Sequence, residues 1–121
     1  MTVKTESIHA GEYILSEGNG SISREDVTLT GGSFVAGQVL GRITADGRYT
    51  AHDPAASDSS EVAAAILYAA VDASAADHAG VITARLAEVN GDLLTWKTGI
   101  DPADKAAGVA ALAALEIHVR T

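Results

Sequence analysis

The sequence predicts an α+β domain: a compact, β-rich single domain with short strands, one Ala-rich C-terminal helix and a flexible N-terminal arm. Three observations carry that expectation. From Ser21 onward, short runs of β-formers are broken by Gly31-Gly32, Asp46-Gly47 and Asn90-Gly91. One segment, opening at Asp101-Pro102, has a complete helix start signal. The residues before Gly11 show no periodicity that would bury a face. A chain of 121 residues suits one domain, so residues 1–20 are read as the arm and 21–121 as the domain.

In chain order, Met1 to Ser16 carries scattered strand formers (Val3, Ile8, Tyr13, Ile14, Leu15) and is followed by the Gly18-Asn19-Gly20 turn signal. Val27 to Thr30 reads as a strand. Val39 to Ala45 and Arg48 to His52 flank Asp46-Gly47, which predicts a hairpin with a two-residue type I′ loop, both central residues at positive φ. Asp53-Pro54 through Ser60 is a polar, small-residue loop. Glu61 to Asp72 is ambiguous. Its three consecutive alanines and the Asp58-Ser59-Ser60-Glu61 imitation of a capping box lean helical, whereas Ile66, Leu67, Tyr68 and Val71 would suit a buried strand. Val81 to Val89 alternates as one half-buried strand, closed by an Asn90-Gly91 turn. Asp101 as N-cap, Pro102 at the first helical position and Asp104 near the positive dipole end start a helix through Leu115, with Val109 and Leu112 as its large contacts. Beyond it Glu116, His118 and Arg120 alternate with Ile117 and Val119, which reads as a closing strand.

Composition narrows the function. Of the 47% apolar residues, 24 are alanines and only five are aromatic, so the core gains less from burial than the percentage suggests. Contacts between subunits would compensate. No apolar run reaches membrane-spanning length, and the first ten residues lack a signal-peptide core, so export is not expected. The absence of cysteine excludes disulfides and thiolate chemistry. Eight basic against sixteen acidic residues give a net charge of −8, which repels phosphate backbones and anionic lipid. Neither nucleic acid nor membrane is expected as a partner.

Catalytic signals are poor. Gly18-Asn19-Gly20-Ser21 lacks the third glycine and flanking elements of a phosphate loop. Gly32-Ser33-Phe34 lacks the second glycine of a nucleophile elbow, which leaves Ser33 as a turn residue. His9, His52, His78 and His118 show no helical metal-ligand spacing, and Asp53, Asp58 and Glu61 read as solvated loop charge. No catalytic, metal or cofactor-binding residue is assigned. Trp96, in a chain this poor in aromatics, reads as an anchor holding the helix against the strands.

Several stretches read together resemble the head decoration protein family of lambda-like tailed bacteriophages. They are Gly11-Glu12-Tyr13-Ile14-Leu15-Ser16-Glu17, Ser23-Arg24-Glu25-Asp26-Val27-Thr28-Leu29, Val39-Leu40-Gly41-Arg42-Ile43-Thr44, Tyr49 with Asp53-Pro54-Ala55-Ala56-Ser57-Asp58, Ala65 to Ala73, and Ala84-Arg85-Leu86-Ala87-Glu88-Val89. The resemblance covers most of positions 11 to 89 and rests on order and extent rather than on a catalytic motif. It implies an extended Ile66 to Ala73, against the helical leaning. It also implies a non-enzymatic, cofactor-free structural virion protein: a homotrimer on three-fold sites of the expanded head, stabilising it against internal DNA pressure. The implied partner is the major capsid protein. The implied location is the outer capsid surface, after synthesis in the bacterial host cytoplasm. The capsid-binding role then falls on the arm, with Val3, Ile8, Tyr13, Ile14 and Leu15 as candidate contacts that add a strand to a capsid sheet edge.

Two other readings compete. One is a small β-rich peptide- or ligand-binding module using the Trp96 region, which tryptophan fluorescence on titration would reveal. The other is a small enzyme using His52 with Asp53, or His78 with Asp77, for which the sequence shows no activating partner.

Overall fold

Ala63–Leu67 is extended, and every residue in it is buried or half-buried. The computed structural model describes residues 9–20 and 22–120. Its elements are β1 (Ile14–Glu17), β2 (Arg24–Leu29), β3 (Gly32–Phe34), β4 (Val39–Arg42), β5 (Tyr49–Ala51), β6 (Ala63–Leu67), β7 (Val71–Ala73), β8 (His78–Thr83), β9 (Ala87–Asn90), α1 (Pro102–Ala114) and β10 (Ile117–Arg120). A 3-10 turn, Gly91–Leu93, follows β9. The β-rich α+β class with a single C-terminal α-helix is as the sequence indicates.

Strands β2, β5, β4, β6 and β8 close a small barrel, β1, β9 and β10 form a three-stranded sheet, and β3 pairs with β7. Two cores result. Leu29, Leu40, Tyr49, Ala65, Leu67 and Ile82 fill the barrel. Tyr13, Val39, Ile66, Val89, Leu112 and Ile117 fill the space between barrel, three-stranded sheet and helix. Strand β6 serves both, with Ala65 and Leu67 on one side and Ile66 on the other. A strand buried on both faces needs no polar alternation, and its apolar run is therefore indistinguishable by pattern from a buried helix. That is why propensity leaned helical there, and tertiary pairing overrides it. The register shifts between Leu40↔Ala65 and Gly41↔Ala63, leaving Ala64 as the extra residue of a bulge. Opposite it, a Cβ on Gly41 would sit 2.4 Å from the Ser60 carbonyl oxygen, so only glycine lets the two backbones approach.

Four local expectations need correction. The hairpin exists, with Arg42↔Tyr49 paired and Ile43 N donating to Arg48 O, but its loop is Thr44–Gly47. Gly47 alone takes positive φ (75°), while Asp46 binds the Arg48 amide and guanidinium instead of turning left-handed. Val81–Val89 is two strands. The chain turns between β8 and β9 with Leu86 at φ 53°, and Asn90 caps the 3-10 turn by accepting from Asp92 N. Ser33 lies in β3, paired with Asp72. On α1, the buried residues are Gly108 and Leu112, with Val109 only half-buried. The N-terminus of the helix matches its signal: Asp101 accepts from Ala103 N, Pro102 follows, and Asp104 lies in the first turn.

The arm boundary also moves. Tyr13 is fully buried, and β1 pairs antiparallel with β9. Gly11 N donates to Tyr68 O at 2.9 Å, Arg24 pairs with Glu17 at 2.8 Å, and its guanidinium lies 4.3 Å over the Tyr68 ring. Residues 11–17, assigned to the arm by sequence, thus belong to the body. Their strand formers find their partner edge within the chain. Val3 and Ile8 lie outside the described residues.

Candidate functional site

The His52-Asp53 pair sits where β5 leaves the barrel, and its two side chains turn to different partners. His52 is 3% exposed. Its Nε2 lies 3.1 Å from the Glu61 carbonyl, to which it donates, and its ring meets Trp96 edge-on with centroids 5.8 Å apart. Nδ1 is buried without a partner. The Asp53 carboxylate instead binds Lys97 Nζ at 2.8 Å and the Ala55 amide at 2.9 Å, and its acidity is strengthened first of all by the lysine. These groups border an open cleft of about 580 Å³ that also takes in Gln38, Thr95 and Trp96. The Trp96 strap is held by a bridge between Gln38 and Thr95, with Thr95 N bonded to Gly37 O and Val39 N to Thr95 O.

The second pair is likewise divided. Asp77 binds Arg48 at 2.6 Å, while His78 Nδ1 lies 2.7 Å from the Ala79 carbonyl. Neither histidine has the adjacent carboxylate turned toward its ring, so no oriented acid–base pair is built at either position. Among the described residues, no three His, Asp or Glu side chains converge as a metal site.

His52 makes stability depend on pH. Burial lowers its pKa below the ordinary 6.5, outweighing the opposing effects of its Glu61 bond and of the Asp53 and Asp104 carboxylates. The unfolded chain therefore binds this proton more readily than the folded one. Stability from this group is complete above pH 6.5 and is lost as pH falls through the folded value. Melting temperature should drop between pH 7 and pH 5 at constant ionic strength. In His52→Gln the slope over that window should shrink, and an unchanged slope would assign the effect to other groups.

Of the candidate contact residues that are described, Tyr13 is fully buried, Ile14 is half-buried against the helix-side core, and Leu15 is 56% exposed. Tyr13 therefore has no ring surface to offer a partner. Sequence reasoning missed Lys97 and Gln38 at the cleft, because the Lys97 bond to Asp53 and the backbone bridge from Gln38 to Thr95 both join segments far apart in the chain, which no local spacing reveals.

What the fold defines is a small β-rich domain: two cores, short strands, and ion pairs such as Lys97–Asp53, Arg48–Asp77 and Arg120–Glu88 that tie distant segments together. The model of the family described as bacteriophage lambda head decoration protein D matches residues 3–117, and the chain belongs to that family. It is a phage capsid decoration protein and a component of the virion head. A search of curated proteins finds no match.

Proposed function

We propose that the chain acts as a homotrimeric cement, binding three-fold sites on the outer surface of the expanded head and stabilising it against the pressure of packaged DNA. The observation that carries this reading is the family match across residues 3–117. The partner is the major capsid protein. Contact is made by the N-terminal segment, with Val3 and Ile8 as apolar side chains and the exposed Leu15 continuing the surface, while Tyr13 and Ile14 anchor that segment to the body.

The physics supports the role. Ordering a peptide arm on binding costs about 2–5 kcal/mol, so a single arm binds weakly. Three arms on one trimer raise the effective affinity by about 10²–10⁴ over one. The charge of −8 keeps the body from adhering to DNA and from aggregating before assembly.

The test is binding to expanded, undecorated heads by the full chain and by a variant lacking residues 1–8. The deletion stops short of Gly11, whose amide is bonded to Tyr68, and of Tyr13, so the body should keep its circular dichroism and melting temperature. Head occupancy should fall at least 100-fold. Normal occupancy by the deleted chain would sink the arm assignment, and failure of the full chain to bind heads at all would sink the cement reading.

A further inference from the structure

Glu61 holds the His52 ring through its backbone and leaves its own carboxylate short of a partner. Because the Glu61 carbonyl only accepts, His52 Nε2 carries the ring proton and Nδ1 is a lone-pair acceptor. That Nδ1 is buried without a hydrogen bond, in a residue 3% exposed, and Glu61 Oε2 is also buried without one. Buried acceptors left unpaired are costly, and each calls for a donor. Both residues line a second, smaller cleft of about 200 Å³ against α1. Asp104, in the first turn of the helix, completes its charged lining, and the rest is Pro54, Val62, Gly108 and three alanines.

Size and charge define what fits. The volume falls below the about 300–1,000 Å³ of drug-sized sites, which leaves room for one side chain or a small molecule of that bulk. Two carboxylates line the cleft and no lysine or arginine does. Among the described residues, neither Glu61 nor Asp104 takes part in an ion pair. The donor set does not suit a metal, because no three His, Asp or Glu side chains converge among the described residues. An ammonium group is satisfied by fewer acceptors: it brings three N–H donors and a charge that the carboxylates balance. Apolar walls suit the methylene stem that carries such a group.

We propose that this cleft binds an alkylammonium group, with its stem against Val62 and Ala107 and its N–H donors turned to Glu61 and His52. Asp104 adds negative charge at the rim. Two sources share this chemistry, a free small amine and a lysine side chain of the capsid protein. The site itself does not rest on the cement reading.

The probe is n-butylammonium chloride, titrated into the full chain at neutral pH and low ionic strength. Trp96 is the only tryptophan, and its ring centroid lies 5.8 Å from that of His52. Its fluorescence and the His52 ring resonances should therefore change saturably, with half-saturation at about 1–10 mM. n-Butanol, which has the stem without the charge, should give no saturable change. Glu61→Gln should weaken binding about tenfold, through loss of a hydrogen bond to a charged group. Asp104→Asn, at an exposed position that keeps the test open should Glu61→Gln fail to fold, should weaken it about threefold. Asp26→Asn removes the same charge from an exposed strand position outside the cleft and should leave binding unchanged. No saturation by about 100 mM overturns the proposal. So does an equal response to butanol, or an equal weakening by Asp26→Asn. Expanded heads separate the sources: Glu61→Gln should lose occupancy where the ammonium is a capsid lysine and keep it where it is a free amine. Failure of wild type to bind heads bears on the cement reading alone.

Discussion

Tyr13→Ala should destabilise the fold by about 4–5 kcal/mol, at the upper end of large-to-small core substitutions. A small domain has only about 5–15 kcal/mol of total stability, so this variant should be partly unfolded at 37 °C or fail to accumulate. The ring is fully buried among Val39, Ile66, Val89 and Ile117, at the junction of the three-stranded sheet with β6. Its hydroxyl meets Thr83 Oγ1 at 2.6 Å, and Thr83 is itself fully buried. Truncation thus opens a cavity and leaves a buried hydroxyl short of a partner, two costs that add. Tyr13→Phe isolates the second and should cost about 1–2 kcal/mol in urea denaturation. The same burial raises the Tyr13 pKa well above the ordinary 10. The unfolded chain releases that proton first, so this group's contribution is whole below pH 10 and is lost as pH climbs toward the folded value. Tyr13→Phe should flatten the alkaline end of the stability profile. A loss below about 1 kcal/mol for Tyr13→Ala would mean that the segment before β1 is not part of the body.

How much of this was legible in the sequence depends on whether the signal was local. The N-terminus of α1 was, because Asp101, Pro102 and Asp104 act on backbone groups within one turn of themselves. So was the existence of the β4–β5 hairpin, although the identity of its loop was not: the Asp46 carboxylate is drawn to Arg48, and that competition is invisible in a dipeptide rule. Strand β6 was unreadable by pattern because two cores claim its two faces. Tyr13 was misread for a related reason. Its burial depends on Thr83 and Ile66, more than fifty residues away, so the segment carries no periodicity of its own. The family resemblance was legible because it came from residues spread along the chain, whereas the left-handed turn at Leu86 was not, because its carbonyl is held by Gly18 N and Ser23 Oγ from a distant segment. The separation of His52 from Asp53 likewise follows from Lys97 and Glu61, which only the folded chain brings near.

Trp96→Ala is expected to cost about 3 kcal/mol, at the lower end for a large aromatic because the ring is only half-buried. More informative is its coupling to Gly108. A Cβ built on Gly108 would lie 2.5 Å from Trp96 Cζ3 and 2.8 Å from Cη2, so the helix accepts the indole only because that position has no side chain. In the wild-type background Gly108→Ala forces either ring or helix to shift and should destabilise by about 1–2 kcal/mol. With Trp96 already replaced by alanine the obstruction is gone. The ordinary preference of a helix interior for alanine over glycine then returns, and the substitution should stabilise by up to about 1 kcal/mol. A double-mutant cycle in urea would therefore show Gly108→Ala changing sign between backgrounds, a pattern that neither helix propensity nor cavity formation alone produces. If Gly108→Ala stabilises both chains equally, the ring does not rest on the helix, and the strap carrying Trp96 is free of α1. Sign reversal would instead establish that a glycine inside an Ala-rich helix is retained as the seat of a tryptophan ring, which ties the helix to the same strap that borders the His52 cleft.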